Sequence, residues 1–195
     1  MEAKFPAPSF NIARQRDEIF RWIIGNIFLH SFHHNNSATT YYLEDESITL
    51  TLGTEIATIL RPGFVIFLKG NLGAGKTTLA RGILRGLGYQ GKVKSPTYNL
   101  VELYNFSRLY FYHFDFYRFD DPIEWEEAGL REYFNADSIC LVEWPEKAEK
   151  LLPVADLQIS FNIIETGRNI EILAGTEAGR QCLNDWQALK ALKHS

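Results

Sequence analysis

A chain of 195 residues, 46% of them hydrophobic, has ample material for one domain with a substantial core, which excludes a disordered or fibrous class. Its formal net charge of -4 supplies no overall field for holding nucleic acid, so a protein or small-molecule partner comes before an RNA one. The two cysteines, Cys140 and Cys182, are far apart and lack metal-ligand spacing, and they read as buried small hydrophobes in a reducing compartment.

Residues 1–10 lack the basic region, apolar core and cleavage site of a secretory signal. The apolar stretch 19–32 is too short to span a bilayer and contains Arg21, Asn26 and His30, so a cytoplasmic protein without a membrane contact is expected. Ile19, Phe20, Ile23, Ile24, Ile27 and Phe28 recur at helical spacing and predict a short amphipathic helix. Residues 31–40 are polar and read as a linker. His30, His33 and His34 have no acidic or cysteine partner nearby, so a solvated segment is expected there and not a metal site.

The alternation over 47–52 suggests an edge strand, and 54–60 a helix that Pro62-Gly63 ends. Residues 65–69 form a short apolar strand that runs directly into Gly70-Asn71-Leu72-Gly73-Ala74-Gly75-Lys76-Thr77-Thr78, a match to the phosphate-loop pattern G-x-x-x-x-G-K-[ST]. A helix is predicted over 76–87, strands over 98–104 and 109–116, and a helix that Asp120-Asp121-Pro122 opens and 123–130 continues. The apolar run 139–142 reads as a central strand, followed by a helix from Pro145 through 151. Residues 157–164 and 169–173 suggest a hairpin, and 177–192 a closing helix. The alternation points to an α/β three-layer sandwich with a mostly parallel central sheet of the phosphate-loop NTPase type, flanking helices and antiparallel additions.

The chemistry follows from the loop. Glycines 70, 73 and 75 allow a turn tight enough for backbone amides to surround a β-phosphate, and the helix that follows adds its dipole. Lys76 is placed to bridge β- and γ-phosphates, and Thr77 to offer its hydroxyl to Mg2+, with Thr78 a helix or α-phosphate contact. A second oxygen ligand and a group that orients water are still needed. Asp115 and Glu143 both end predicted strands and emerge on the ligand side if those strands are parallel; which binds metal and which orients water stays open. His113 shares the alternation with Asp115 and either holds that carboxylate, meets a neighbouring backbone group or packs. Arg118 reaches toward a γ-phosphate or forms an exposed salt bridge.

Ser95-Pro96-Thr97 places two hydroxyls around a stiff point, in the manner of a switch loop or of an ordinary turn. Trp144, directly after the strand-end acid Glu143, gates the nucleotide, contacts a partner or belongs to the core. Neither N/T-K-x-D nor D-x-x-G occurs, which favours adenine over guanine. A small-molecule kinase needs an acceptor pocket and an arginine-bearing lid, whereas the region from Asp120 onward is acidic. An ATP-driven switch on another protein fits better, with the kinase and a turnover-free scaffold as alternatives.

The runs GNLGAGKTTLARG, VKSPTYNLV, YHFDFYRF and LVEWPEKAEKLLP, in this order, closely resemble the bacterial TsaE (YjeE) family over residues 47–173. The resemblance implies an ATP- and Mg2+-dependent ATPase subunit of the machinery that makes N6-threonylcarbamoyladenosine (t6A) at position 37 of tRNA. Such a subunit works on a TsaD–TsaB pair and meets tRNA only through that complex, supporting repeated rounds of modification. It implies Lys76, Asp115 and Glu143 as catalytic residues and Thr77, Asp115 and Glu143 toward metal. Nucleotide contacts would come from Thr49, residues 71–78 and Trp144. Ser95, Pro96, Thr97, His113, Tyr117 and Arg118 fall in switch or partner-linked segments.

The family's threonine-and-glycine start corresponds to Thr49 and Gly53. Residues 1–40 form an extension with no counterpart in the pattern, leaving 41–195 as the ATPase domain, expected to be monomeric when isolated. Ala128-Gly129-Leu130 replaces the family's usual L-G, a change expected to touch packing alone.

Overall fold

The computed structural model describes residues 38–107 and 109–193; the helix read over 19–28 and the histidines at 30, 33 and 34 lie outside them. In chain order the elements are β1 (Ala38–Leu43), α1 (Glu46–Ala57), β2 (Val65–Lys69), α2 (Lys76–Gly86), β3 (Val101–Phe106), β4 (Leu109–Asp115), α3 (Pro122–Glu127), β5 (Ser138–Glu143), β6 (Leu157–Ile164), β7 (Gly167–Ala174) and α4 (Glu177–Lys193). One seven-stranded sheet takes the order β1-β7-β6-β2-β5-β4-β3. The centre β6-β2-β5-β4 is parallel, while β1, β7 and β3 are added antiparallel.

The sheet is therefore mixed, not mostly parallel as expected, with three parallel and three antiparallel pairings. Two of the antiparallel pairings have a local cause: two-residue connections between β3 and β4 and between β6 and β7 can only return the chain antiparallel, whereas parallel neighbours need a crossover. The third, β1 on β7, joins segments far apart in sequence.

Two further expectations change at the N-terminal edge. Residues 47–52 are helical, because Asp45 caps α1 by accepting from the Ile48 amide at 2.9 Å, and Leu52 and Ile56 then fall on one buried face. The edge strand lies earlier, at β1, where Tyr41 and Leu43 alternate inward. Ala38, Thr39 and Thr40, read as linker and extension, are thus sheet residues paired to Leu173, Ile172 and Glu171. Later, the helix expected from Pro145 shrinks to a 3-10 turn, Pro145–Lys147. The strand expected over 98–104 begins at Val101, after Leu100 turns at φ 61°.

Alternation along the buried strands feeds two cores. Ile66, Leu68, Ile139 and Leu141 pack with Leu79, Ile83 and Leu84 of α2, Leu52 and Ile56 of α1, and Leu183 and Trp186 of α4. Val65, Phe114, Cys140 and Val142 face the other way, onto Phe116, Phe119, Trp125 and Leu130. Ser138 through Glu143 are buried on both faces, as a central parallel strand requires. At about 25 cal/mol per Å2 of apolar surface, burying each large side chain contributes roughly 1.5–3 kcal/mol.

The helix pair α1–α2 is what aims the phosphate loop. A Cβ on Gly82 would sit 2.4 Å from Leu50 O, and one on Gly53 2.6 Å from Leu79 O, so the two backbones touch where neither carries a side chain. Gly82→Ala is expected to destabilise the fold by about 1–3 kcal/mol, the overpacking cost exceeding alanine's helical advantage of about 1 kcal/mol. Thermal unfolding measures it, and an unchanged midpoint would refute this close crossing.

Candidate functional site

Strand β2 ends at Lys69, and the chain then turns through Gly70, Gly73 and Gly75 at φ 139°, 76° and 107° before α2 begins at Lys76. These conformations favour glycine, and the guanidinium of Arg168 lies against Gly75, where a Cβ would stand 2.5 Å from its Nη1. The loop opens onto a cleft of about 240 Å3, formed on the loop side by Leu72, Gly73, Ala74, Gly75, Lys76, Thr77 and Thr78. The opposite wall comes from Ser95, Thr97, Asp115, Tyr117, Glu143 and Trp144.

Register explains why the two acids meet here. Strands β4 and β5 are parallel, and Asp115 is paired directly with Glu143 at their carboxyl ends. Leu68, the penultimate residue of β2, is paired with Glu143 on the other side. Both acids and Lys76 are buried, so the site holds two carboxylates against one ammonium. Burial pulls the Lys76 ammonium below the ordinary lysine value, while the charges of Glu143, Asp115 and Glu146 pull it back up.

The acids have different neighbours. Thr77 Oγ1 donates to Glu143 at 2.9 Å from Oε1 and 3.2 Å from Oε2, and His113 Nε2 lies 2.8 Å from Oε1. Asp115 accepts from the hydroxyls of Ser95 and Thr97 at Oδ2, the latter at 2.8 Å, and from the Tyr117 amide at Oδ1 at 2.9 Å. Ser95 and Thr97 also meet at 2.6 Å. The Ser95-Pro96-Thr97 segment is thus tied to the Asp115 carboxylate, and Glu143 to the phosphate-loop threonine.

Lys76 Nζ donates to Gly70 O at 2.6 Å and Asn71 O at 3.0 Å, and lies 3.9 Å from the centre of the Trp144 ring. Trp144 adopts φ 58° and ψ 48°, a left-handed backbone costly for a bulky residue, and Tyr117 supports its ring at 4.9 Å. This geometry sets the indole over the lysine.

Several expected residues stand elsewhere. Thr49 is buried within α1, where its hydroxyl donates to Asp45 O at 2.9 Å, and it is not among the residues lining the cleft. Asn71 takes part through its carbonyl and Pro96 only as the link between two hydroxyls. His113 meets Glu143, not Asp115, because position 113 on β4 lies diagonal to 143 across the register. Among the described residues Arg118 makes no salt bridge, and it lies outside the cleft lining; its guanidinium stacks 4.6 Å over Tyr98.

Arg168 on β7 escaped sequence reasoning: its Nη1 donates to Ala74 O at 3.3 Å, bracing the loop from the hairpin side. Only the three-dimensional closeness of Gly75 and Arg168 marks it, and no spacing in the sequence carries that signal.

The donor set suits a magnesium nucleotide. Among the described residues no group of three or more His, Cys, Asp or Glu side chains is arranged as a metal cage. One hydroxyl and one or two carboxylates beside an anion-binding loop are what Mg2+ needs when substrate phosphates and water complete its shell. Thr77 and Glu143 would hold the ion, with Asp115 within the same cleft. Among the described residues no helix is long and apolar enough to cross a membrane.

Comparison with known proteins decides the family. The family model described as "Threonylcarbamoyl adenosine biosynthesis protein TsaE" matches residues 43–170. The chain belongs to the TsaE family. A protein named tRNA threonylcarbamoyladenosine biosynthesis protein TsaE from Haemophilus influenzae is 48% identical over 150 residues, 74% of this chain and 95% of that protein. Its namesake from Bacillus subtilis is 47% identical over 103 residues, 53% of this chain and 64% of the relative. The crystal structure of Bacillus subtilis YdiB superposes with a TM-score of 0.69 at 30% identity, covering 81% of this chain and 99% of that one.

Asp115→Ala would strand the hydroxyls of Ser95 and Thr97 and the Tyr117 amide. A loss of about 1–3 kcal/mol in stability is expected, with faster proteolysis around residues 95–100. Unchanged cleavage kinetics would show that the carboxylate does not hold that segment.

Proposed function

We propose that this TsaE family member is the ATP-hydrolysing subunit of the machinery that makes N6-threonylcarbamoyladenosine in tRNA. In this reading it is a Mg2+-dependent ATPase that acts on a TsaD–TsaB complex, meets tRNA through that complex and supports repeated turnovers. The family membership supports the pathway, and the relatives carry t6A biosynthesis in their names. The observation that carries the ATPase part is the hydrogen bond from Thr77 to Glu143, beside a glycine loop at the carboxyl ends of parallel strands.

The division of labour follows from the neighbours of each acid. Glu143, already on the Thr77 hydroxyl, would be the acid that holds Mg2+ with Thr77, and the ion would supply neutralisation of phosphate charge. Lys76 leaves the carbonyls of Gly70 and Asn71 to bind phosphate, and the loop amides complete the cradle. Asp115 orients the attacking water once Ser95 and Thr97 let go of its Oδ2. The switch segment thereby reads the occupancy of the site through that carboxylate. Trp144, its ring backed by Tyr117, covers the lysine and limits its access to water.

ATP turnover by the purified chain, alone and with its cognate TsaD and TsaB homologues, tests the proposal. Phosphate release that needs Mg2+ and rises with the partners is expected. Labelled γ-phosphate appearing on a metabolite would instead make the chain a kinase. Lys76→Ala removes a charged contact worth about 1.5–3 kcal/mol and should weaken nucleotide binding about 10- to 100-fold, as calorimetry reads it. Undiminished affinity would place the triphosphate elsewhere.

A further inference from the structure

His113 lies on β4, fully buried, and one of its two ring nitrogens has no hydrogen-bond partner among the described residues. That is an expensive choice for a core position, since a buried polar atom left unpaired costs about 1–3 kcal/mol where a leucine would cost nothing of the kind. Its other nitrogen, Nε2, lies 2.8 Å from Glu143 Oε1, the oxygen that also takes the shorter bond from Thr77. Glu143 Oε2 has only the longer contact, at 3.2 Å.

We propose that His113 is the positioning residue for Glu143: its Nε2–H pins Oε1 and leaves Oε2 for the cation that accompanies the nucleotide. The proposal rests on the ATPase reading of the site. A carboxylate oxygen accepts, so the hydrogen shared across this 2.8 Å contact is the one on Nε2. Register supplies the reach, because His113 pairs with Leu141 and is therefore diagonal to Glu143, a separation that a long side chain spans.

Two substitutions of similar polarity separate positioning from mere core filling. In His113→Gln the side-chain amide can place an N–H where Nε2 stands; in His113→Asn the donor is drawn back by one carbon. Mg2+ is titrated against the protein saturated with a non-hydrolysable ATP analogue, and affinity for the metal-free analogue is measured in EDTA. His113→Asn should weaken Mg2+ about 10- to 100-fold with metal-free affinity within about twofold of wild type, and His113→Gln should restore most of the loss. Mg2+ affinity in His113→Asn equal to wild type would overturn the proposal.

Imidazole nitrogen spectra of the unmutated chain give a readout that survives any folding defect. A hydrogen on Nε2 is expected, and an Nε2 that carries none would overturn the assignment. If the unmutated chain fails to bind the analogue and Mg2+ together, the ATPase reading itself falls and this proposal with it. That result is distinct from a mutant that leaves metal binding untouched.

Discussion

The site depends on one contact between elements that are distant in sequence, the hydrogen bond from Thr77 at the start of α2 to Glu143 at the end of β5. It ties the first turn of the helix to the neighbouring strand. The phosphate loop thus has a fixed floor and a carboxylate at a defined height above it. Everything that places these two residues is structural: parallel pairing of β2 with β5, burial of β5 on both faces, and the glycine crossing that seats α2 against α1. A shift of one residue in the β2–β5 register would turn Glu143 to the other face of the sheet and empty the site of its acid.

The same arrangement holds opposing charges at close quarters. Two buried carboxylates share a cleft with one lysine whose ammonium is held by carbonyl oxygens and an indole face. Such a site has surplus negative charge, which a divalent cation would relieve in the proposed reading, and it keeps its lysine out of water. Asp115 spends its hydrogen-bonding capacity on Ser95, Thr97 and the Tyr117 amide. In the proposed cycle that network is the part that changes, while Thr77, Glu143 and His113 stay in register. The left-handed backbone at Trp144 fits a fixed part of the site: strain there persists only because Tyr117 and Lys76 over-determine the ring.

Much of this was legible in the sequence, for identifiable reasons. The apolar runs of β2 and β5 are short and unbroken, as strands buried on both faces must be, and both sit where expected. The glycine loop, Lys76, Thr77, Asp115, Glu143 and Trp144 were read from motif and strand-end position, and the fold brings them to one cleft. Less legible was whatever depends on pairing. The hairpin was legible, but the antiparallel edge strand β1 was not, because its place beside β7 depends on pairing between segments far apart in sequence. The strand read at 47–52 failed because the Asp45 cap outweighs a weak alternation of threonine and apolar residues. His113 on Glu143 and Arg168 against Gly75 are consequences of register and hairpin geometry, which no spacing along the chain records.

The most direct test of the central claim is a crystal structure of this chain with a non-hydrolysable ATP analogue and Mg2+. The account predicts the triphosphate in the loop formed by residues 70–78 and the Thr77 hydroxyl about 2.0–2.1 Å from the ion. Glu143 would meet the ion directly or through one water, its Oε1 still on His113. An ion carried by Asp115 with Glu143 turned away, or a triphosphate bound outside the loop, would contradict it.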